Sequence, residues 1–214
     1  MSDSNIEGHD SSGETGNYTY IIASIGRCSS SYITQEIENA TGKSASYSLF
    51  LKDTQDRYIL KTHCHFTHEF PYAYKAIFLY SDISSVIASL FFLQGKPPDF
   101  LQRHLKHLDV SMKHRKCFLY LDSRGYKTAA YLYLIIGDKF RFEKNFKSWK
   151  RSKHTLFVDY NLLCENTEVE LKRISNFLGF EFPNFKIKKR NSSAEKLPWI
   201  LRQFIRWQYK ALKP

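Results

Sequence analysis

Short apolar runs alternate along the chain with segments in which apolar residues recur at helical spacing. Strands are predicted at 18–24, 58–60, 76–80 and 155–158, where β-branched and aromatic residues cluster. Helical spacing follows three of these runs, and glycines mark two of the helix ends, at Gly42 and Gly179. This alternation predicts an α/β fold with a central, mainly parallel β-sheet flanked by helices and with ligands at the strand ends.

Three other segments are interpreted separately. Residues 94–137 show no decisive period, and Cys117–Leu121 within them fits either a strand or part of a helix. Thr167, with Glu170 three residues later, has the pattern of a capping box. In 197–214, apolar residues follow one helical side while Arg and Lys lie elsewhere. We expect this helix to pack on its own domain; the alternative is an amphipathic helix in peripheral contact with an anionic membrane.

The length of 214 residues suits one domain with a sizeable core. Residues 1–17 are polar and have neither the basic start nor the apolar stretch of a signal peptide. We therefore expect a disordered tail at 1–17, one domain at 18–214 and a cytoplasmic location. No apolar run is long enough for a spanning helix. The four cysteines have no C-x-x-C pairing, so they are predicted to be free thiols.

The net charge of +11 is unevenly distributed, because the whole excess lies in 139–214. One interpretation is a solvated basic face. The other is a surface that attracts an anion, such as a nucleotide, an anionic sugar, an acidic lipid or a nucleic acid. No nucleic-acid-binding motif and no long basic tract is present, so a nucleic-acid partner is not expected.

The polar loop between the first strand and the first helix is a candidate anion site, because unpaired amides and the helix dipole point toward such a position. It supplies one cation and three hydroxyl groups, which suit a diphosphate or a phosphosulfate. Its residues are Gly26, Arg27, Cys28, Ser29, Ser30 and Ser31. It lacks the Walker A pattern, and Phe70 stands where a protein-phosphatase loop after Cys64 needs an arginine. The plain alternative is a serine-rich N-cap.

Four segments, taken in order, resemble the sulfotransferases that use 3′-phosphoadenosine 5′-phosphosulfate (PAPS). Arg27, Ser30 and Ser31 match the basic and hydroxyl positions of the family's P-[KR]-S-G-[ST]-[ST] loop. The K-T-H segment at 61–63 follows, then AIFLYSDISSVIAS at 76–89, which is similar to the 3′-phosphate element. The late FVDYNLLCENTEVELKRISNFLGFE resembles the family's last strand and its helix ending in F-L-G. The resemblance implies a P-loop-like three-layer sandwich and sulfuryl transfer to a hydroxyl or amine.

Two positions depart from the family pattern. Ser29 replaces a glycine in the loop, and Ser81 stands where an arginine usually binds the 3′-phosphate. The matching serine, Ser89, remains. Our hypothesis is that Lys189 and Arg190, in the basic run after the F-L-G helix, replace the missing cation. The residues predicted to bind PAPS are therefore Arg27, Cys28, Ser29, Ser30, Ser31, Ser81, Ser89, Lys189 and Arg190.

His63 is the candidate general base, a role that the resemblance also implies, since histidine titrates near neutral pH. Lys61, two residues away on the same side of the strand end, is expected to stabilise the leaving phosphate together with Arg27. The plain alternative is that His63 only fills a strand end. The H-C-H-x-x-H cluster at 63–68 lacks the distant ligand pair of a structural zinc site, so no metal is predicted.

The acceptor is not identified by the sequence. In 99–108 the residues Arg103, His104, Lys106 and His107 occupy the region where the resembling family builds its acceptor pocket. Nearby aromatic residues suit an apolar or carbohydrate acceptor, so a carbohydrate, a lipid and a small molecule all remain open. Two other functions were weighed. One is a non-catalytic module that binds an anion, a nucleotide or a nucleic acid on the same fold. The other is a P-loop-like kinase, which is disfavoured because neither a Walker A motif nor a convincing Mg²⁺ site is visible.

Overall fold

The computed structural model describes residues 19–26, 28–47, 58–66, 73–93, 99–182, 187 and 193–212. The strands in these ranges are β1 (Thr19–Ser24), β2 (Ala45–Tyr47), β3 (Ile59–Thr62), β4 (Tyr74–Tyr80) and β5 (Thr155–Asp159). The first five helices are α1 (Ser30–Thr41), α2 (Ile83–Phe91), α3 (Phe100–His107), α4 (Met112–Ser123) and α5 (Lys127–Ile135). The remaining helices are α6 (Phe142–Trp149), α7 (Tyr160–Glu165), α8 (Thr167–Leu178) and α9 (Trp199–Gln208).

The described strands form one five-stranded sheet in the order β2-β3-β1-β4-β5, and every neighbouring pair is parallel. Consecutive residues of β1 and β4 are buried, which requires cover on both faces of the sheet. The predicted α/β class, with a central parallel sheet flanked by helices, is confirmed. The carboxyl ends of β3, β1 and β4 lie side by side, so the loops that follow them share one edge.

The predicted helix ends at Gly42 and Gly179 are confirmed, since both residues adopt the left-handed conformation that glycine tolerates. The open question at Cys117–Leu121 is answered: these residues belong to α4, which packs against α5. The period of α4 is weak because Phe118 is its one fully buried residue.

The predicted capping box at Thr167 is wrong. The N-cap residue is Asn166, and Thr167 is already the first residue of α8. The Thr167 hydroxyl donates to the carbonyl of Leu163 in the preceding helix, at 2.9 Å. Glu170 pairs instead with Arg173, whose guanidinium donates to its carboxylate at 2.7 Å. Because α7 runs almost directly into α8, the threonine finds a helical carbonyl before it can act as a cap.

Helix α6 holds the segment that leaves the sheet after β3, residues 63–66. Asn145 donates to the carbonyl of His63 at 2.7 Å, and the Trp149 indole donates to the carbonyl of Cys64 at 3.0 Å. The amide of Phe66 donates to the Ser148 hydroxyl at 2.8 Å. Three side chains of one helix thus form hydrogen bonds with the backbone groups of this segment.

Helix α6 is itself fixed at both ends. The carboxylate of Asp138 accepts hydrogen bonds from the first amides of the helix, including those of Phe142 at 2.9 Å and Glu143 at 3.0 Å. The rings of Phe146 and Trp149 pack against Phe78 of β4, with centroids 5.9 and 6.1 Å away. Helix α6 therefore fixes segment 63–66 relative to the central sheet.

The C-terminal helix α9 packs on its own domain, as expected. Leu201, Ile205 and Tyr209 are buried, and the helix contacts α2 and α5. The side-chain oxygen of Gln208 accepts from the amide of Gly137 at 3.0 Å. Within the described ranges, no helix has both the length and the apolar character that crossing a membrane requires.

We expect Trp149→Phe to lower the free energy of unfolding by about 1–3 kcal/mol, because it leaves the buried carbonyl of Cys64 without its donor. Urea unfolding followed by circular dichroism measures the change. Trp207→Phe is the matched control, since Trp207 is 69 % exposed and should change stability by less than ~0.5 kcal/mol. Equal effects of the two substitutions would contradict this role for Trp149.

Candidate functional site

A cavity of about 680 Å³ lies at the carboxyl ends of β1 and β3. It collects residues from the start of α1, from the ends of β2 and β3, and from α3. The lining residues are Ser29, Ser30, Ser31, Tyr32, Gln35, Tyr47, Lys61, His63, Phe100, Arg103, His104 and His107. The predicted loop serines, Lys61 and His63 therefore lie together, and the cavity has the position expected for a ligand of a parallel sheet.

The backbone of the loop takes two left-handed residues. Gly26 has φ +89°, which favours glycine, and a β-carbon there would lie 3.1 Å from Nε2 of His104, so a larger residue would also have to push the imidazole aside. Ser29, the N-cap of α1, has φ +56° although it is not a glycine. The serine that departs from the family pattern thus adopts a backbone conformation that glycine adopts without strain.

The start of α1 offers donors to an anion. The amides of Ser30 and Ser31 have no hydrogen-bond partner in the part of the chain that the structure describes, as helix geometry dictates for a first turn. The Ser31 hydroxyl accepts a hydrogen bond from Nζ of Lys61. The Cys28 thiol is buried and donates to the carbonyl of Gly26 at 3.0 Å, so Cys28 could offer a ligand only its backbone. Arg27 lies outside the described residues.

His63 is held by the end of β1. Its Nδ1 lies 3.0 Å from the carbonyl oxygen of Ser24 and 2.8 Å from the Ser24 hydroxyl. A carbonyl can only accept, so the 3.0 Å contact requires the proton to be on Nδ1, which leaves the lone pair on Nε2. The amide of Gly26 also donates to the Ser24 hydroxyl, at 3.3 Å. One strand end thus fixes both the histidine tautomer and the first residues of the loop.

Burial keeps His63 neutral. It is 6 % exposed, and desolvation lowers its pKa to about 4, with smaller contributions in the same direction from the charges of Lys61 and His107. The hydrogen bond to Ser24 opposes this shift without overcoming it. Burial also lowers the pKa of Lys61. In the described lining of the cavity there is no Asp or Glu, so every charged group there is a cation.

The side of the cavity opposite the loop is formed by α3. His104 stacks on Phe100 with the ring planes 10° apart, and its ring centroid lies 5.7 Å from that of His63. Tyr47 stands between His63 and His107, with its ring centroid 5.9 Å from that of His63 and 4.4 Å from that of His107. Arg103, which pairs with Asp99, completes this wall. The stretch that the sequence marked as an acceptor region thus faces the candidate base.

Two residues predicted to bind the sulfate donor lie outside the cavity. Ser81 is buried at the end of β4, and the Ser89 hydroxyl donates to the carbonyl of Val86 at 2.8 Å inside α2. Neither lines the cavity. Lys189 and Arg190, the proposed substitutes for the missing arginine, lie outside the described residues.

The histidine-rich cluster after β3 is described only from His63 to His65, since His68 is outside the described residues. His65 points to Asp109, with Nδ1 3.6 Å from the carboxylate. In the described part of the chain no group of three or more His, Cys, Asp or Glu side chains could hold a metal ion.

Sequence reasoning missed three residues of the site. Ser24 belongs to a run interpreted as a buried strand, and a polar residue at the end of such a run was the available signal. Tyr47 is in a three-residue strand too short to leave a pattern. Asn145 acts on His63 from 82 positions away, a separation that a single sequence does not reveal.

We expect Ser29→Gly to raise the free energy of unfolding by about 0.5–1 kcal/mol, because it relieves a left-handed conformation that costs a residue with a β-carbon more than it costs glycine. Ser29→Ala keeps that conformation and removes no capping hydrogen bond, so it should change stability by less than ~0.5 kcal/mol. Thermal and urea unfolding measure both. A destabilised glycine variant would contradict the assigned backbone geometry.

His63 also predicts a pH dependence of stability. Its pKa is about 4 in the folded protein against an ordinary value of 6.5, so between these values the folded state binds fewer protons than the unfolded chain. The free energy of unfolding should therefore decrease as the pH falls through this window, with His63 contributing at most ~3 kcal/mol. Urea unfolding at several pH values gives the free energy of unfolding as a function of pH, and this dependence should be shallower for His63→Asn than for the native chain. Equal pH dependences for the native chain and the variant would disprove the assignment.

Comparison with solved structures finds similarity to one described as "Crystal structure of mouse sulfotransferase SULT7A1 complexed with PAP". The sequence identity is 16 % and the TM-score is 0.48. The match covers 90 % of this chain and 64 % of the mouse chain, so this chain spans less than two thirds of its neighbour's length. No family model matches the sequence, and no curated protein matches it.

Proposed function

We propose that this chain is a sulfotransferase that transfers a sulfuryl group from PAPS to a hydroxyl or amine acceptor. The observation that carries the proposal is the shared cavity, in which a neutral His63 and Lys61 stand beside the open amides of α1. Each of the three parts has a task in this reaction: a base for the acceptor, a cation for the leaving group and a cradle for the phosphosulfate.

The donor's 5′-phosphosulfate would lie at the start of α1. The amides of Ser30 and Ser31 would donate to its oxygens, and the serine hydroxyls and Lys61 would add further donors. Arg27 is proposed as a second cation there. At the 3′-phosphate we propose Ser81 and Ser89, with Lys189 and Arg190 replacing the absent arginine. No metal is required, because lysine and arginine can balance the charge of the phosphosulfate.

In the proposed reaction the acceptor oxygen or nitrogen attacks the sulfur in line with the bond to the leaving phosphate. A new bond from the acceptor to sulfur forms as the bond from sulfur to the bridging oxygen breaks. The electron pair of the broken bond stays on that oxygen, where Lys61 stabilises the charge. Nε2 of His63 takes the proton from the acceptor, while Nδ1 stays bound to Ser24.

A pKa of about 4 makes His63 a weak base in the cavity without a ligand. Part of this depression comes from the positive charges of Lys61 and His107. An anionic donor placed beside Lys61 would offset these charges and raise the pKa of His63 toward neutrality. His63 would therefore be a stronger base with the donor bound, although desolvation, the largest cause of its low pKa, would remain.

The acceptor would enter against α3. Phe100 and Tyr47 offer ring faces, and Arg103 offers a cation at the edge of the same wall. Such a lining suits a ring-bearing hydroxyl compound, either a carbohydrate or a small apolar molecule. Without carboxylates in the described lining, nothing there repels an acceptor that carries its own negative charge.

We expect His63→Asn to lower sulfuryl transfer by ~10²-fold or more while binding of adenosine 3′,5′-bisphosphate persists. The asparagine amide can donate to the Ser24 carbonyl in place of Nδ1–H, but it has no basic nitrogen. Labelled donor, incubated with a panel of glycans, phenols and alcohols, measures transfer, and calorimetry measures nucleotide binding.

His65→Asn is the matched control, because His65 lies two positions along the same segment but is absent from the described lining of the cavity. It should retain transfer. Unchanged transfer in His63→Asn would refute the base assignment. Nucleotide binding by the native chain without transfer to any acceptor would favour the non-catalytic binding module instead.

A further inference from the structure

The side of α9 that faces away from the domain is unusually aromatic for a surface. Trp199 is 66 % exposed, Trp207 is 69 % exposed and Ile200 is 39 % exposed. Phe204 is half-buried and meets Trp207 edge-on, with centroids 6.2 Å apart. We call these four residues the outer row of α9. Ile200, Phe204 and Trp207 recur at i, i+4 and i+7, so they form one stripe along the helix.

Trp199, Ile200 and Trp207 of the outer row are not needed to attach α9 to the domain, whereas Phe204 packs partly against the core. Leu201, Ile205 and Tyr209 already do so from the opposite side, where they are buried against the core. Two of the chain's three tryptophans are thus exposed to solvent, although large aromatic side chains usually contribute to a core or an interface. Ile136 is exposed as well, and Gly137 next to it donates to the side chain of Gln208 of α9.

A row of cations follows the flank of the same helix. Arg202, Arg206 and Lys210 recur at every fourth position and line a shallow cleft with Asp82 and Glu195. Among the described residues none of these three cations is within ion-pair distance of a carboxylate. The cations outnumber the two acidic residues, and they belong to the part of the chain, 139–214, that carries the whole excess of positive charge.

We propose that the outer row of α9 and its basic flank bind the surface of an anionic bilayer, with the helix lying in the membrane plane. Tryptophan rings favour the headgroup level, and arginine and lysine beside them pair with anionic headgroups. The outer row lies on one convex helix side and not in a groove, so it suits a bilayer better than a peptide or a folded partner. The proposal stands independently of the proposed sulfuryl transfer.

The test is binding of the full chain to lipid vesicles. Phosphatidylcholine vesicles are compared with vesicles in which about a third of the lipid is phosphatidylserine. We expect co-sedimentation with the anionic vesicles and a blue shift of tryptophan fluorescence on binding. Because Trp149 is fully buried, that shift reports on Trp199 and Trp207. Raising the salt concentration should weaken binding.

Paired variants separate the surface from the net charge. Trp199→Ala with Trp207→Ala should reduce vesicle binding at least tenfold, whereas Met112→Ala with Tyr120→Ala, at similarly exposed positions of α4, should not. Arg206→Glu with Lys210→Glu should abolish binding. Lys113→Glu with Lys116→Glu changes the net charge by the same amount at exposed positions of α4 and should retain most of the vesicle binding.

Three results would overturn the proposal. One is absence of binding to the anionic vesicles by the native chain. Another is an equal loss in the α9 and α4 charge variants, which would show attraction by net charge alone. The third is self-association in size-exclusion chromatography that disappears in the double-tryptophan variant, which would assign the outer row to a second copy of the chain. Unfolding curves of all variants show that each is folded before it is compared.

Discussion

The candidate site depends on three hydrogen bonds by which α6 holds the segment after β3. The carbonyls of His63 and Cys64 accept from Asn145 and Trp149 and would lose these donors without them. A buried carbonyl without a partner is costly, so the segment has one favourable path through the molecule. The ring of His63 has a fixed position because its own backbone does. The geometry of β3 is therefore completed by residues that follow it by about eighty positions.

Within that frame, burial decides the electrostatics of the cavity. His63 has a hydrogen-bond acceptor in Ser24 that favours its protonated form, yet removal from water outweighs this contact and lowers its pKa. Lys61 keeps its Nζ on the Ser31 hydroxyl, although burial lowers its pKa as well. Among the described residues, the cavity thus combines a neutral imidazole with a lysine whose hydrogen-bond partner is a hydroxyl and not a carboxylate. Lys61 remains available to an incoming anion, whereas the Nε2 lone pair of His63 can take up a proton.

Much of this arrangement was predictable from the sequence, since it follows from local patterns. The strands at 18–24, 76–80 and 155–158 and the helix ends at Gly42 and Gly179 needed only periodicity and turn chemistry. The common location of the loop serines, Lys61 and His63 was expected from the order of the segments that resemble the sulfotransferases, together with the geometry of a parallel sheet. Contacts between distant segments were not predictable. Asn145 has no sequence feature that points to His63, and Thr167 bonds to a helix that the capping pattern does not include. Helix α4 in 94–137 was not predicted because it buries only one residue fully and so shows almost no amphipathic period.

The close approach of His104 to Gly26 links the two walls of the cavity. A β-carbon on Gly26 would lie 3.1 Å from Nε2 of His104, so the imidazole of α3 would have to move aside by a few tenths of an ångström. The loop that would hold the donor and the helix that would face the acceptor therefore share one steric contact. A side chain at position 104 that reached closer to Gly26 than the imidazole does would therefore displace the loop as well. Phe100, Arg103 and His107 line the same cavity but are not among the atoms nearest to Gly26, so substitutions there would change the α3 wall and leave the loop in place.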